Sequence, residues 1–307
     1  MKDLIVSVIY TFGCNYHCPY CFLGDRRNDK RTIPHEVLEQ RLKELRHCGY
    51  TPIFDVFGGD VECTCSKDEI GSLLSLLEKY TDKKISFTTM LYEDTFQWLY
   101  NDKRLELDFS LNVERGRQYE ETLERLKQIP MECRKELTTM VVVLPSILKQ
   151  GAKATLDYIE ELGVGTVTFL QYYKSKWCKK IYNIKNKDYE SFMIDVINCY
   201  RNSNYSFEIN NLHLWKDDYT PFKSSHIFIL PNGNYATLSY DKDGYESFYE
   251  FDTIEQYEKV VKEEMVEHTE CLNCGYFGKC LAEHIRPTEE GDVCSGLPNL
   301  RKLIFGF

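Results

Sequence analysis

The chain has 307 residues, of which 43% are hydrophobic and 28% charged, with a formal net charge of −10; this composition fits a folded globular protein and excludes disorder. The acidic balance offers no basic field to a phosphate backbone, so no nucleic acid is expected as a partner. Met1-Lys2-Asp3 runs straight into a strand-length apolar segment and not into an export signal, and no apolar stretch reaches the length of a membrane span, so the expected setting is the cytoplasm, with no membrane contact.

In chain order, Leu4–Tyr10 reads as a strand, followed by a cysteine-bearing loop. Pro34 then opens a helix with Val37, Leu38, Leu42 and Leu45 on one face. A second strand, Pro52–Phe57, precedes Ser66-Lys67-Asp68-Glu69, a capping-box spacing that heads a helix carrying Ile70, Leu73, Leu74 and Leu77. Strands at Lys84–Thr89, Glu106–Val113, Thr138–Leu144 and Thr166–Gln171 alternate with helices at Asp94–Tyr100, Tyr119–Gln128 and Ala154–Leu162. Six such alternations predict an α/β fold with a parallel sheet, either doubly wound or a partial barrel, with ligands at the carboxyl ends of the strands. After Gln171-Tyr172-Tyr173-Lys174, which would approach the barrel mouth, the alternation stops. A helix at Lys187–Tyr200, a hairpin at His226–Tyr240 around Pro231-Asn232-Gly233-Asn234, and a helix at Ile254–Glu267 follow. The expected division is a barrel over residues 1–205 and a small extension over 206–307.

The chain holds 13 cysteines, and in a reducing compartment clustered thiols read as metal ligands or catalytic groups, not disulfides. Cys14, Cys18 and Cys21 stand in Cys-Asn-Tyr-His-Cys-Pro-Tyr-Cys, directly after the first strand. Three thiolates on one short loop leave a structural zinc site unfilled. They can hold three irons of a cubane cluster and leave the fourth open to a chelating small molecule. A zinc ion completed by His17 or a distant residue is the alternative.

This spacing, with Tyr20 just before the third cysteine, resembles the radical S-adenosylmethionine (radical SAM) superfamily. The resemblance implies a partial (β/α)6 TIM-like barrel and a [4Fe-4S] cluster whose open iron is chelated by S-adenosyl-L-methionine. It also implies a 5′-deoxyadenosyl radical that abstracts hydrogen from substrate. Phe57-Gly58-Gly59-Asp60 resembles the Gly-Gly-Glu element of that family, which implies Gly58, Gly59 and Asp60 at the methionyl amino group, Asp being one methylene shorter than the usual Glu. Phe109-Ser110-Leu111-Asn112 resembles the Ser-Leu-Asp element whose polar groups reach the ribose hydroxyls. Ser110 and Asn112 could equally be a strand-end polar pair. Tyr20 completes the implied cofactor-binding set.

Cys271, Cys274, Cys280 and Cys294 supply four further thiolates, enough to saturate either a zinc ion or a cubane. The run resembles the SPASM or twitch extension of radical SAM enzymes, with Cys271, Cys274 and Cys280 in the first three positions and Cys294 downstream. His284 stands where a fourth cysteine is usual, and the preceding hairpin, Ser225–Tyr240, contains none. The ligand set of one auxiliary cluster is thus missing and that of the other complete. A hairpin-plus-helix extension with one auxiliary [4Fe-4S] cluster is expected, and His284 is read as structural. Cys48 and Cys199 are read as core fillers, while Cys63 and Cys65, just beyond Asp60, could include a catalytic thiol.

SPASM-type relatives mostly modify peptides, so the leading expectation is oxidative modification or crosslinking of a ribosomally made peptide, with an electron donor such as flavodoxin or ferredoxin as partner. A winged-helix leader-binding domain, which many peptide-modifying relatives carry, is not expected before the barrel. The alternatives are dehydrogenation or rearrangement of a small polar metabolite such as an aminocyclitol or sugar, and a non-catalytic iron–sulfur protein, which Asp60 and Asn112 would favour.

Overall fold

The computed structural model describes residues 2–172, 174–214, 226–240, 245–259, 269–276 and 288–306. Six strands, β1 (Lys2–Ile9), β2 (Tyr50–Phe57), β3 (Ile85–Thr88), β4 (Leu105–Ser110), β5 (Thr138–Val143) and β6 (Thr166–Gln171), run parallel in sequential order. A two-residue strand, β7 (Glu208–Ile209), follows β6 at one edge. Between the strands lie α1 (His35–His47), the single turn α2 (Val61–Thr64), α3 (Lys67–Leu77), α4 (Glu93–Tyr100), α5 (Arg117–Gln128), the turn α6 (Met131–Arg134), α7 (Pro145–Gln150) and α8 (Ala152–Leu162). The long α9 (Asn186–Arg201) comes after β6. This is the partial TIM-barrel arrangement expected from the β/α alternation, and helix and strand ends fall within a few residues of the expected ones.

A parallel sheet sheathed by helices buries both faces of its inner strands, and β1 shows this: Leu4, Val6, Ser7, Val8 and Ile9 are all fully enclosed. Leu38, Leu42 and Leu45 of α1, and Ile70, Leu73, Leu74 and Leu77 of α3, form the apolar stripes that seal one side. The capping box is present: Ser66 Oγ accepts from Glu69 N, and the Glu69 carboxylate accepts from Ser66 N at 2.7 Å. Cys48 departs from expectation. The helix ends at His47, and Cys48 lies exposed beyond it, because Gly49 turns the chain with φ of +85° before Tyr50 can enter β2. Cys199 does pack against the core, half-buried on α9.

The hairpin forms from β8 (His226–Ile229) and β9 (Tyr235–Tyr240), but it is no free-standing ornament. β8 lies parallel to β1, from Ile5↔His226 to Val8↔Ile229, so the hairpin continues the barrel's own sheet. A third strand, β10 (Glu246–Phe251), which the sequence reading lacks, pairs antiparallel with β9 and completes a ten-stranded sheet. The helix expected from Ile254 begins there, and its described part reaches residue 259; the rest lies outside the described residues. Among the described residues no helix is long and apolar enough to cross a membrane.

The β1–β8 seam contains a titratable group. The half-buried His226 ring places Nε2 2.7 Å from Ser7 Oγ, which in turn donates to Asp55. Burial depresses the imidazole's pKa to about 4, against about 6.5 in an unfolded chain. The unfolded state therefore binds the extra proton first. The contribution of this site is complete above about pH 6.5 and is lost as pH falls toward about 4. A His226→Gln variant is expected to flatten the dependence of urea stability on pH across that window, and an unchanged slope would show that the acid sensitivity lies elsewhere.

Candidate active site

Everything expected at the first cysteine cluster lies at the carboxyl ends of the parallel strands, where the loops after β1, β2 and β4 meet. The cysteine loop leaves β1 through Thr11-Phe12-Gly13 and is pinned by Cys14 N donating to Arg27 O (3.1 Å) and Cys21 N to Cys18 O (3.1 Å). The loop after β2 packs backbone to backbone against it. Gly59 N donates to Thr11 O (3.0 Å) and Asp60 N to Gly13 O (2.7 Å). At Gly58, φ is +129°, a conformation that favours glycine. A Cβ on Gly59 would sit 2.1 Å from Gly13 O and 2.6 Å from Phe12 O. The glycine pair is therefore required for the two loops to touch.

Asp60 is 2% exposed and both its oxygens are engaged. One caps α2 by accepting from Cys63 N at 3.1 Å, and the other accepts from Tyr92 OH at 2.7 Å. Tyr92 OH also lies 2.7 Å from Tyr16 OH, so a chain of hydrogen bonds ties Asp60 to the tyrosine between Cys14 and Cys18. Burial pushes the Asp60 carboxyl up, against the Tyr92 and Cys63 hydrogen bonds. The shorter side chain at this position thus braces the cysteine loop.

Asn112, 1% exposed, bridges to β5: its amide donates to Val142 O (2.8 Å) and accepts from Val142 N (3.0 Å). Ser110 closes β4, and its carbonyl accepts from Arg115 Nη1 at 2.6 Å. Tyr20 meets Tyr182 edge-on with ring centroids 6.3 Å apart, and burial raises its phenol. Cys63 is exposed and accepts from Asn15 Nδ2, while Cys65 is buried in the core beside α3.

The three loop thiols share one environment. Burial pushes Cys14 up to about 11 and Cys21 up to about 12, and neighbouring thiols add to both shifts. Cys14 and Cys21 stay protonated at neutral pH unless a metal displaces the proton. Three features suit an anionic thiolate cluster. The Arg115 guanidinium, although burial opposes its charge, lies beside Cys18, Tyr20 and Cys14, whose anionic forms favour its charge. Gln118 is buried with Oε1 3.2 Å from Cys18 Sγ and with Nε2 lacking any partner; its amide, turned over, gives a Cys18 thiolate an N–H donor. Lastly, three thiols on one loop leave a tetrahedral zinc ion short of a ligand but can hold three irons of a cubane, so the donor set fits the larger group. Arg115, Gln118 and Tyr92 carry no motif of their own, and only the packing of the segments at the starts of α4 and α5 over the loop brings them to Tyr16 and the cysteines.

At the second cluster Cys271 and Cys274 are half-buried and Cys294 is exposed, while Cys280 and His284 lie outside the described residues. The C-terminal helix Pro298–Phe305 places Arg301, 1% exposed, with Nη2 4.0 Å from Cys294 Sγ and its guanidinium 4.3 Å over the Tyr276 ring. Its Nε is buried without a partner, and no carboxylate pairs with it among the described residues. A buried guanidinium needs an anion, and metal-bound thiolates would supply one. On the reading that Cys271, Cys274, Cys280 and Cys294 hold an auxiliary cluster, Arg301→Met is expected to lower iron per chain after anaerobic reconstitution, and unchanged iron would count against that reading.

No family model matches the chain. Among curated proteins, the tRNA-2-methylthio-N(6)-dimethylallyladenosine synthase of Symbiobacterium thermophilum is 28% identical over 97 residues, a match covering 28% of this chain and only 21% of that relative's length. Among solved structures, anSMEcpe with bound AdoMet aligns with a TM-score of 0.66 at 18% identity, covering 99% of this chain and 96% of that one. The same protein with AdoMet and the Cp18Cys peptide aligns at 0.65 and 17%, covering 99% and 96%. SuiB of Streptococcus suis bound to S-adenosylmethionine aligns at 0.63 and 17%, covering 92% and 72%. Identities this low speak for the fold. The cysteine loop, the glycine-dependent contact beside it and these alignments converge: the chain has the fold of the radical SAM enzymes.

Proposed function

We propose that the chain is a radical SAM enzyme that oxidatively modifies or crosslinks a peptide, with one auxiliary iron–sulfur cluster. The observation that carries the reading is the convergence of Cys14, Cys18 and Cys21 with Arg115 and Gln118 at the carboxyl ends of the strands. When bound, the cluster and S-adenosyl-L-methionine supply a 5′-deoxyadenosyl radical that takes a hydrogen atom from the substrate. The protein's part is to place and tune. Cys14, Cys18 and Cys21 hold the cluster, and Arg115 and Gln118 offset thiolate charge, which bears on how easily the cluster is reduced. Gly58 and Gly59 bring the second loop close, and Gly58 to Asp60, Tyr20, Ser110 and Asn112 are assigned to the cofactor's surroundings. Cys271, Cys274, Cys280 and Cys294 are assigned to the auxiliary cluster, beside Arg301. The peptide preference is supported by the fold shared with anSMEcpe, solved with the Cp18Cys and Kp18Cys peptides.

The test is anaerobic reconstitution, reduction with dithionite and addition of S-adenosyl-L-methionine. About eight irons per chain and formation of 5′-deoxyadenosine are expected; alanine at Cys14, Cys18 or Cys21 should abolish the product. Absence of cleavage by a fully loaded protein would leave a non-catalytic iron–sulfur protein. Co-expression with a peptide encoded beside the gene should give a mass loss of about two hydrogens, the change that one new crosslink or double bond requires. An unchanged peptide would redirect the search to small polar metabolites.

A further inference from the structure

The segment between β6 and α9, residues 174–187, contains six lysines and no acidic residue, in a chain whose net charge is −10. Lys174 pairs with Glu289 at 3.1 Å. Lys176, Lys179, Lys180 and Lys185 are exposed, and none has an acidic partner among the described residues. In their midst Ile181 is 69% exposed. The acids at this segment are held by other partners: Asp292 accepts from Asn186 N and Lys187 N (2.9 Å each), Asp188 caps the start of α9 through Lys185 N (3.2 Å), and Asp25 is exposed on the turn after the cysteine loop.

The underside of this segment rests on the cysteine loop. The Trp177 ring occupies the space over Gly24, where a Cβ would lie 2.2 Å from it, and the Arg26 guanidinium stacks 5.4 Å from the same ring. Cys178 Sγ lies 3.5 Å from Cys21 O, and Tyr182 meets Tyr20 edge-on. The outward face thus carries four exposed lysines and one exposed apolar side chain on a segment that rests against the cysteine loop. Unpaired surface lysines kept together are costly by mutual repulsion, and a small apolar centre with a charged rim suits a transient encounter.

We propose that the face formed by Lys176, Lys179, Lys180, Ile181 and Lys185 docks an acidic one-electron carrier protein that reduces the cluster held by Cys14, Cys18 and Cys21. The inference rests on the radical SAM reading, in which one electron must enter from outside. The carrier loses one electron and the cluster gains it, with no bond made or broken. A chain of net charge −10 repels an acidic carrier over most of its surface, so this patch decides where a productive approach can occur.

The experiment compares the reconstituted chain with a variant carrying Lys176→Glu, Lys179→Glu, Lys180→Glu and Lys185→Glu. Each is reduced by an acidic flavodoxin in its hydroquinone form or by dithionite. Cluster absorbance checks that both are equally loaded; if the variant is not, the four lysines are replaced by Gln instead. The expected result is about tenfold or more slower cluster reduction by flavodoxin at low ionic strength, a gap that closes in about 0.5 M salt, and unchanged dithionite-driven cleavage of S-adenosyl-L-methionine. Equal flavodoxin rates overturn the proposal, as does an equal loss with dithionite, which would mean that the cysteine loop itself was disturbed. Loss of bulk tRNA retention with flavodoxin reduction intact also overturns it, and makes the patch a nucleic-acid surface. Should the parent chain fail to cleave with dithionite, the radical reading is what fails. The docking surface is then decided by calorimetric flavodoxin binding, present in the parent and lost in the variant if the patch is the site.

Discussion

Gly59→Ala is expected to prevent the first cysteine cluster from assembling and to destabilise the fold by about 3 kcal/mol or more. The new Cβ would lie 2.1 Å from Gly13 O and 2.6 Å from Phe12 O, both backbone atoms that no rotamer change can move. Relief by sliding is blocked, because β1 and β2 are paired from Lys2↔Tyr50 to Ile9↔Phe57. The loops must then part, which breaks the Gly59 N to Thr11 O and Asp60 N to Gly13 O hydrogen bonds and moves Cys14 from Cys18 and Cys21. Urea denaturation and iron content would report it. Gly71→Ala in α3 is the control: its Cβ would meet only the Trp98 ring at 3.8 Å, and a helical Gly→Ala change is neutral or stabilising by about 1 kcal/mol. Full iron content and parental stability in Gly59→Ala would show that the cysteine loop does not depend on the loop after β2.

The second large effect is expected at Glu190. This carboxylate, 3% exposed on α9, accepts from Asn299 N at 2.7 Å, Asn299 Nδ2 at 2.8 Å and Leu300 N at 3.2 Å. It thereby supplies the N-terminal acceptor that the helix Pro298–Phe305 obtains from no cap of its own. Leucine at this position leaves three donors without acceptors in the interior, at about 1–3 kcal/mol for each unsatisfied group, partly relieved as the helix detaches. Glu190→Leu should therefore lower the melting temperature and release Arg301 and Cys294. With one auxiliary cluster present, bound iron should fall from about eight toward about four per chain. Glu190→Gln retains an acceptor and should recover much of the loss. A fully loaded, parentally stable Glu190→Leu protein would show that the helix is held by its apolar face alone.

The barrel was legible because its signals are local. Apolar period in Leu38, Leu42 and Leu45, the capping box at Ser66–Glu69, and runs such as Thr138–Val143 declare helix or strand without reference to the rest of the chain. Cys14, Cys18 and Cys21 were equally plain, since three ligands within eight residues of one loop need no tertiary contact to be neighbours. β10 was not, because Glu246–Phe251 is an edge strand whose exposed Tyr249 and Glu250 blur the alternation. Neither was the role of Asp60. Its carboxylate is defined by Tyr92, which follows it by 32 residues, and through it by Tyr16.

The sequence by itself determined the α/β class, the position of the cysteine loop and the glycine pair after the second strand, because each follows from periodicity or from spacing along a few residues. Only the tertiary structure decided what those pieces do to one another. It joined the hairpin to β1, turned Asn112 inward onto Val142, and set Gln118 and Arg115 against Cys18, which precedes Gln118 by 100 residues. It also laid the lysine-rich segment over the cysteine loop. Contacts at such separations are selected by the packing of whole elements, and no local pattern in the chain encodes them.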